Sequence, residues 1–215
     1  MKKSVILLIV LSILFSGCAW FEKSREDKPA QELIKEGMAE YEEGNYKDAI
    51  KSFEQLRDWY PFSKYAILAE LKIADAYYNL ESYADAVFAY EEFERLHPRN
   101  EAIPYVIYRE GLCYFNRIDT IDRDQTNAVK ALDIFQRLVK QFPSDPYSVM
   151  ARTDIIKCYK SIAGHELYVG KFYYKAKKYK AALERFKRVV IRYPDVGTHQ
   201  EALLYIANCE ALIDE

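Results

Sequence analysis

The sequence predicts an all-α fold: a solenoid of antiparallel helix pairs, about nine helices in all, with a long helix leading into the fourth pair. Three observations carry this. Four segments align without gaps: YKDAIKSFEQLRDWYP (46–61), YADAVFAYEEFERLHP (83–98), AVKALDIFQRLVKQFP (128–143) and YKAALERFKRVVIRYP (179–194). Each has Ala at its fourth place, an aromatic four residues later and an apolar residue three further on: Ala49, Phe53, Leu56; Ala86, Tyr90, Phe93; Ala131, Phe135, Leu138; Ala182, Phe186, Val189. That spacing marks one face of an α-helix. The closing Pro of each copy biases its predecessor away from helix. Second, Gly37, Ala74 and Gly170 stand twelve residues before the Ala of the first, second and fourth copies, and Gly111 stands twenty before Ala131. Tyr41, Tyr77 with Tyr78, Tyr114, and Tyr173 with Tyr174 follow these small residues by three or four places. This fixed use of Tyr accounts for 19 Tyr against 11 Phe and 2 Trp. Third, 50% hydrophobic residues with only seven Gly and seven Pro rule out a disordered or collagen-like chain.

The N-terminus reads as a processing signal. Lys2 and Lys3 precede an apolar run from Val5 to Phe15. A membrane-spanning helix needs ~20 apolar residues, so this shorter run fits a secretory signal. Ser16 and Gly17 then lead into Cys18. The stretch resembles a bacterial lipobox, with Phe15 where Leu is usual. That resemblance implies cleavage after residue 17, an N-acyl diacylglyceryl lipid on Cys18 and no other cofactor. More than one acyl chain is needed for stable anchoring. By the same resemblance to lipoproteins, Ala19 rather than Asp after the Cys implies the outer membrane. Residues 18–29 are charged after Trp20 and Phe21 and read as a flexible tether.

The order small residue, Tyr, Ala, aromatic, Pro resembles the tetratricopeptide repeat (TPR), which recurs at ~34 residues. The first-helix Trp of that pattern is absent, and Leu33 holds its place in the first repeat. Gly or Ala on each first helix is expected to face Ala on the second, letting the pair approach closely. Successive Ala positions lie 37, 45 and 51 residues apart. The first interval holds the turn PFSKYA, with Ser63 as the expected helix N-cap. The second holds the polar insertion FNRIDTIDRDQTN, expected to loop over the end of the third repeat. The third opens with Asp145 and Pro146, an N-cap and a first-turn Pro. From Tyr147 to Ala176 only Gly164 and Gly170 interrupt a helical pattern. One helix of ~30 residues, ~45 Å long, is expected, with Gly164 as the place for a kink. Thr198 and Glu201 then form a capping box for a last helix with Ala202, Leu203, Ile206, Ala207 and Leu212 on its apolar stripe. A solenoid end needs a polar cap, so this helix is either that cap or a surface for a partner. The organisation expected is a signal peptide over 1–17, the tether over 18–29, repeats one to three over 30–143, and the long helix, fourth repeat and terminal helix over 144–215.

No constellation for catalysis stands out. His97, His165 and His199 form no HxxxH or HExxH, and no phosphate-binding or nucleophile-elbow motif is present. Cys113, Cys158 and Cys209 sit on apolar helical stripes and read as buried thiols, and their odd number leaves at least one unpaired. The formal net charge of −2 lacks the basic excess of a nucleic-acid binder. The chain therefore reads as a binding protein, not an enzyme. TPR arrays bind peptides in the groove lined by their first helices. Here Tyr41, Tyr78, Tyr105, Tyr108 and Arg109 would offer aromatic faces and a charge to an extended segment. The rival use of the same Tyr side chains is packing between helices.

Several longer stretches, YEEGNYKDAIKSFEQL (41–56), WYPFSKYAILAELKIADAYY (59–78), HPRNEAIPYVIYREGLCYF (97–115), FPSDPYSVMA (142–151) and HELYVGKFYYKAKKYKAALERFKRVVIRYP (165–194), together with the lipobox, resemble the BamD family of outer-membrane assembly lipoproteins. The resemblance implies an adaptor of the β-barrel assembly machinery, anchored to the outer membrane and facing the periplasm. It implies that the N-terminal half receives unfolded outer-membrane barrel proteins, and that the C-terminal half binds the POTRA domains of the barrel subunit. Other assembly lipoproteins are further implied partners. Arg185 matches an Arg of the family that faces the barrel subunit, with Arg188 and Arg192 beside it. Longer family members continue past the last helix into a complete fifth repeat, which this sequence lacks. The rival reading is a general periplasmic TPR scaffold lipoprotein for division or envelope maintenance.

Overall fold

The computed structural model describes residues 28–214. The signal peptide, Cys18 and the tether up to residue 27 lie outside the described residues. Among the described residues there are nine helices and no strand: α1 (Ala30–Glu42), α2 (Tyr46–Trp59), α3 (Ala66–Asn79), α4 (Tyr83–Leu96), α5 (Ile103–Phe115), α6 (Thr126–Gln141), α7 (Pro146–Lys175), α8 (Tyr179–Arg192) and α9 (His199–Asp214). Each helix packs on the next, and α5 also touches α7. The result is an all-α solenoid of the TPR type. Three runs of buried side chains fill it: one between α1, α2 and α3, one from α3 to α7, and one between α7, α8 and α9. None of these helices is both long and apolar enough to cross a membrane.

The small residues of the first helices act differently from the expectation. They seat the aromatic ring of the second helix, not its Ala. A Cβ added to Gly37 would lie 2.5 Å from the Phe53 ring, one on Gly111 2.4 Å from Phe135, and one on Gly170 2.5 Å from Phe186. The ring sits where a side chain would be, so the helices close onto the ring itself. In the second pair Ala74 and Tyr90 hold the same places, and both are fully buried.

Turn chemistry repeats as well. The residue two places past α1, α3 and α7 has positive φ: Gly44 at 83°, Glu81 at 58° and Lys177 at 56°. Only glycine adopts this conformation without a penalty of about 1–2 kcal/mol. The third pair has the insertion there instead. That insertion is fastened to α7. Ile121 packs over Gly164, where a Cβ would come within 3.1 Å of its Cγ2. The Ile121 carbonyl lies 2.7 Å from His165 Nδ1, and the Ser161 hydroxyl donates to Gln125 Oε1 at 2.6 Å. Helix α7 runs 30 residues without interruption through Gly164, whose missing side chain makes room for Ile121.

The caps divide. Asp145 accepts the Tyr147 N–H at 2.8 Å, as expected, with Pro146 in the first turn. The Ser63 hydroxyl accepts the Tyr65 N–H at 3.2 Å, but the helix begins at Ala66, so Ser63 shapes the turn before it. The Thr198–Glu201 capping box does not form. Thr198 Oγ1 is buried without a hydrogen-bond partner, and Glu201 is drawn into an ion pair with Lys171 of α7. Asp195 takes over at this turn, accepting the Gly197 N–H at 2.9 Å. At the other end, Lys28 pairs with Glu36 at 2.7 Å and its carbonyl accepts the Tyr60 hydroxyl at 3.0 Å, so the chain is tied down before α1 begins.

Candidate functional site: an Asp75-centred groove and an arginine face

The first helices α1, α3 and α5 bring four of the five groove residues together around Asp75, a residue that the sequence reading did not single out. On α3, Lys72, Asp75, Tyr78 and Asn79 share one face by their i, i+3, i+4 spacing. Tyr105, Tyr108 and Arg109 share a face of α5 in the same way. Asp75 is 2% exposed. Its Oδ1 accepts the Tyr90 hydroxyl at 2.7 Å and the Tyr105 hydroxyl at 2.6 Å, and its Oδ2 accepts from Lys72 at 3.1 Å. Arg109 donates from Nε to the Tyr90 hydroxyl at 3.1 Å, and that nitrogen lies 3.9 Å from Asp75 Oδ1. Its guanidinium stacks 3.6 Å over the Tyr78 ring. Lys72 sits 4.9 Å over the ring of Tyr41. Burial first, and the Asp75 charge second, hold the Tyr90 and Tyr105 hydroxyls far above the usual tyrosine range, so both remain donors at any physiological pH.

The same Tyr side chains lock neighbouring repeats. Asn79 donates to the Tyr41 hydroxyl and Asn116 to the Tyr78 hydroxyl, each at 2.7 Å and each 38 residues apart. Tyr108 stands apart. Its hydroxyl donates to Asp154 of α7 at 3.0 Å, and its ring packs near Phe135 and Tyr147. Packing between helices therefore engages every one of the five. Arg109 and Tyr78 also remain partly exposed, and among the described residues the terminal guanidinium nitrogens of Arg109 donate no hydrogen bond. A stacked guanidinium with free donors suits a carboxylate or an extended main chain.

In the C-terminal half, Arg185 donates from Nη1 to both oxygens of Glu166, at 3.0 and 3.2 Å. Arg188 Nη1 lies 4.0 Å from the same carboxylate. Arg192 is exposed and forms no ion pair among the described residues. Two guanidiniums thus share one carboxylate and a third faces solvent, with Ile191 78% exposed beside it.

Between these regions Arg137 of α6 bridges Glu94 of α4 and Glu110 of α5, at 2.6 Å each. Burial, reinforced by Glu91 and Glu94 and opposed by Arg137, pushes the Glu110 carboxyl up to about 7 from its ordinary 4.5. The folded protein then holds a proton there that the unfolded chain releases between those values. Its contribution to stability is present below about 4.5 and is lost as pH rises through 7. Glu110→Gln should therefore gain stability relative to wild type as pH goes from 5 to 8. Urea midpoints measured across that range check this, and parallel curves would contradict it.

Each His has a structural contact: His97 Nε2 lies 2.5 Å from Glu70, His165 is held by Ile121, and His199 Nε2 lies 3.0 Å from the Tyr193 carbonyl. Among the described residues no group of three or more His, Cys, Asp or Glu is placed to hold a metal. The three thiols are buried, and burial pushes Cys113 and Cys158 up to about 12, which keeps them protonated and unreactive.

The fold defines the class: an α-solenoid built from TPR-type helix pairs. Among solved structures, the TPR2AB-domain:pHSP90-complex of yeast Sti1 matches with a TM-score of 0.53 at 15% identity, covering 86% of this chain and 70% of that one. Residues 26–213 match the YfiO family, described as outer membrane lipoprotein, and the chain belongs to that family. It is 31% identical to the outer membrane protein assembly factor BamD of Neisseria gonorrhoeae over 99% of this chain and 86% of that protein. It is 30% identical to the BamD of Pasteurella multocida over 94% of this chain and 81% of that protein, and 29% identical to that of Caulobacter vibrioides over 94% and 68%.

Proposed function

We propose that this protein is an adaptor in outer-membrane β-barrel assembly, lipid-anchored through Cys18 on the periplasmic face and without enzymatic activity. The observation that carries this is family membership across residues 26–213, which takes in the first eight helices whole and α9 up to its last residue. The groove fits unfolded barrel segments as cargo: Arg109 and Tyr78 present a charge-bearing aromatic surface on a rigid frame. The C-terminal half fits the POTRA domains of the barrel subunit as partner, through Arg192 and the Arg185–Arg188 pair. A general envelope scaffold would share the fold, and the family match favours the assembly reading over it. Depleting the protein from its host cell should lower the amounts of folded β-barrel proteins in the outer membrane, read by heat-modifiable gel mobility. Unchanged barrel levels after depletion would overturn this reading.

A further inference from the structure

A second groove lies between the second helices α2 and α4, with α3 as its floor. It encloses about 380 Å³. Ile73 and Tyr77 form the floor, and Phe88 and Leu96 stand on the α4 wall. Phe88 is 69% exposed and Leu96 47%. The position is unusual within the repeat. Where the second pair has Phe88, the aligned copies have Lys51, Asp133 and Glu184. Three repeats place a charge there in solvent, and one places an aromatic ring over a cavity.

The rim is acidic. Glu54 and Asp85 line it, and neither forms an ion pair among the described residues. Of the other charged lining groups, Glu70 lies against His97, Glu92 pairs with Arg95, and Arg57 pairs with Asp58. The two carboxylates that remain flank the apolar floor. An apolar trough between unpaired carboxylates matches a segment that inserts a large apolar side chain and sets Lys or Arg on either side.

We infer that the α2–α4 groove is a docking site for a basic amphipathic segment of another protein, with Phe88 as its apolar anchor and Glu54 and Asp85 as its charge-reading groups.

The test uses the full chain in detergent and a fluorescein-labelled synthetic peptide of leucine and lysine patterned as an amphipathic helix, followed by anisotropy. Its glutamate counterpart is the reference. The lysine peptide should bind, and the glutamate peptide should bind at least about tenfold more weakly. Phe88→Ser should weaken the lysine peptide by about tenfold, as should Glu54→Gln with Asp85→Asn. Asp133→Asn with Glu184→Gln makes the same charge change on other repeats and should leave affinity within about twofold. Phe88 is largely exposed, so its loss leaves the fold intact, and thermal melts check that. Equal weakening by the two charge-change pairs would show attraction to the whole chain and overturn the inference. So would a Phe88→Ser variant that binds as wild type does. A tenfold gain in affinity on Trp20→Ala with Phe21→Ala would show that the chain's own residues 18–27 fill the groove, and would overturn an outside partner.

Discussion

Replacing Asp75 with Ala should lower the unfolding free energy by about 3–5 kcal/mol, the range for removing one partner of a buried charged cluster. The reason is the number of groups that depend on it. Tyr90 and Tyr105 would keep buried hydroxyls with no acceptor, and Lys72 and Arg109 would lose the carboxylate that offsets their charge. Each stranded buried donor costs about 1–3 kcal/mol. Asp75→Asn retains an acceptor for the two hydroxyls and should cost less. Urea unfolding of the three proteins at one pH decides it. An Asp75→Ala variant within about 1 kcal/mol of wild type would show that the network is ornamental to the fold. The same variant frees Arg109 from its frame, so the binding of unfolded segments proposed for this face should fall with stability.

The second large effect concerns the glycine–ring seats. Phe135→Ala should cost about 3–5 kcal/mol through lost burial and the cavity left behind. Gly111→Ala should cost about 1–3 kcal/mol, because its new methyl would enter a ring that already stands 2.4 Å from the Cβ position. The double variant should cost about as much as Phe135→Ala alone, since the methyl then occupies vacated space. This strong non-additivity is the signature of one contact, readable from a four-protein denaturation cycle. Additive costs would mean that the ring and the glycine do not constrain each other.

Much of the architecture was legible because its signals are periodic. The closing residues Pro61, Pro98, Pro143 and Pro194 each stand two places beyond the end of a helix, at Trp59, Leu96, Gln141 and Arg192. The segments that open with Tyr46, Tyr83 and Tyr179 open at helix starts. Asp145 and Pro146 announced α7 because that cap is local in sequence. What failed was anything settled by a distant partner. Thr198 and Glu201 have the spacing of a capping box, but Lys171 lies within reach of Glu201 and captures it. The small residues were read against Ala on the second helix, whereas the ring four places further on reaches into the gap. At the site, Tyr41, Tyr78 and Tyr90 were visible by repeat position, but their organiser was not. Asp75 is a lone acid inside the apolar run IADAYY, a signal for a buried, satisfied carboxylate. Its partners Tyr90 and Tyr105 lie 15 and 30 residues away, and only the fold brings them to it.

The arginine face allows a structural role to be separated from a docking one. Arg185 is already held by Glu166, so its charge reversal would disturb α7 and α8 as well as any interface. Arg192 is exposed and outside that cluster. The decisive measurement is affinity capture of the lipid-anchored full chain from detergent-solubilised membranes, comparing wild type with Arg192→Glu and with Arg185→Glu. Wild type should recover the POTRA-containing barrel subunit, and both reversals should reduce the yield, Arg192→Glu with an unchanged melting profile. Recovery of no POTRA-containing protein by wild type would contradict the assembly role. Equal recovery by wild type and both variants would contradict the arginine face as its docking surface.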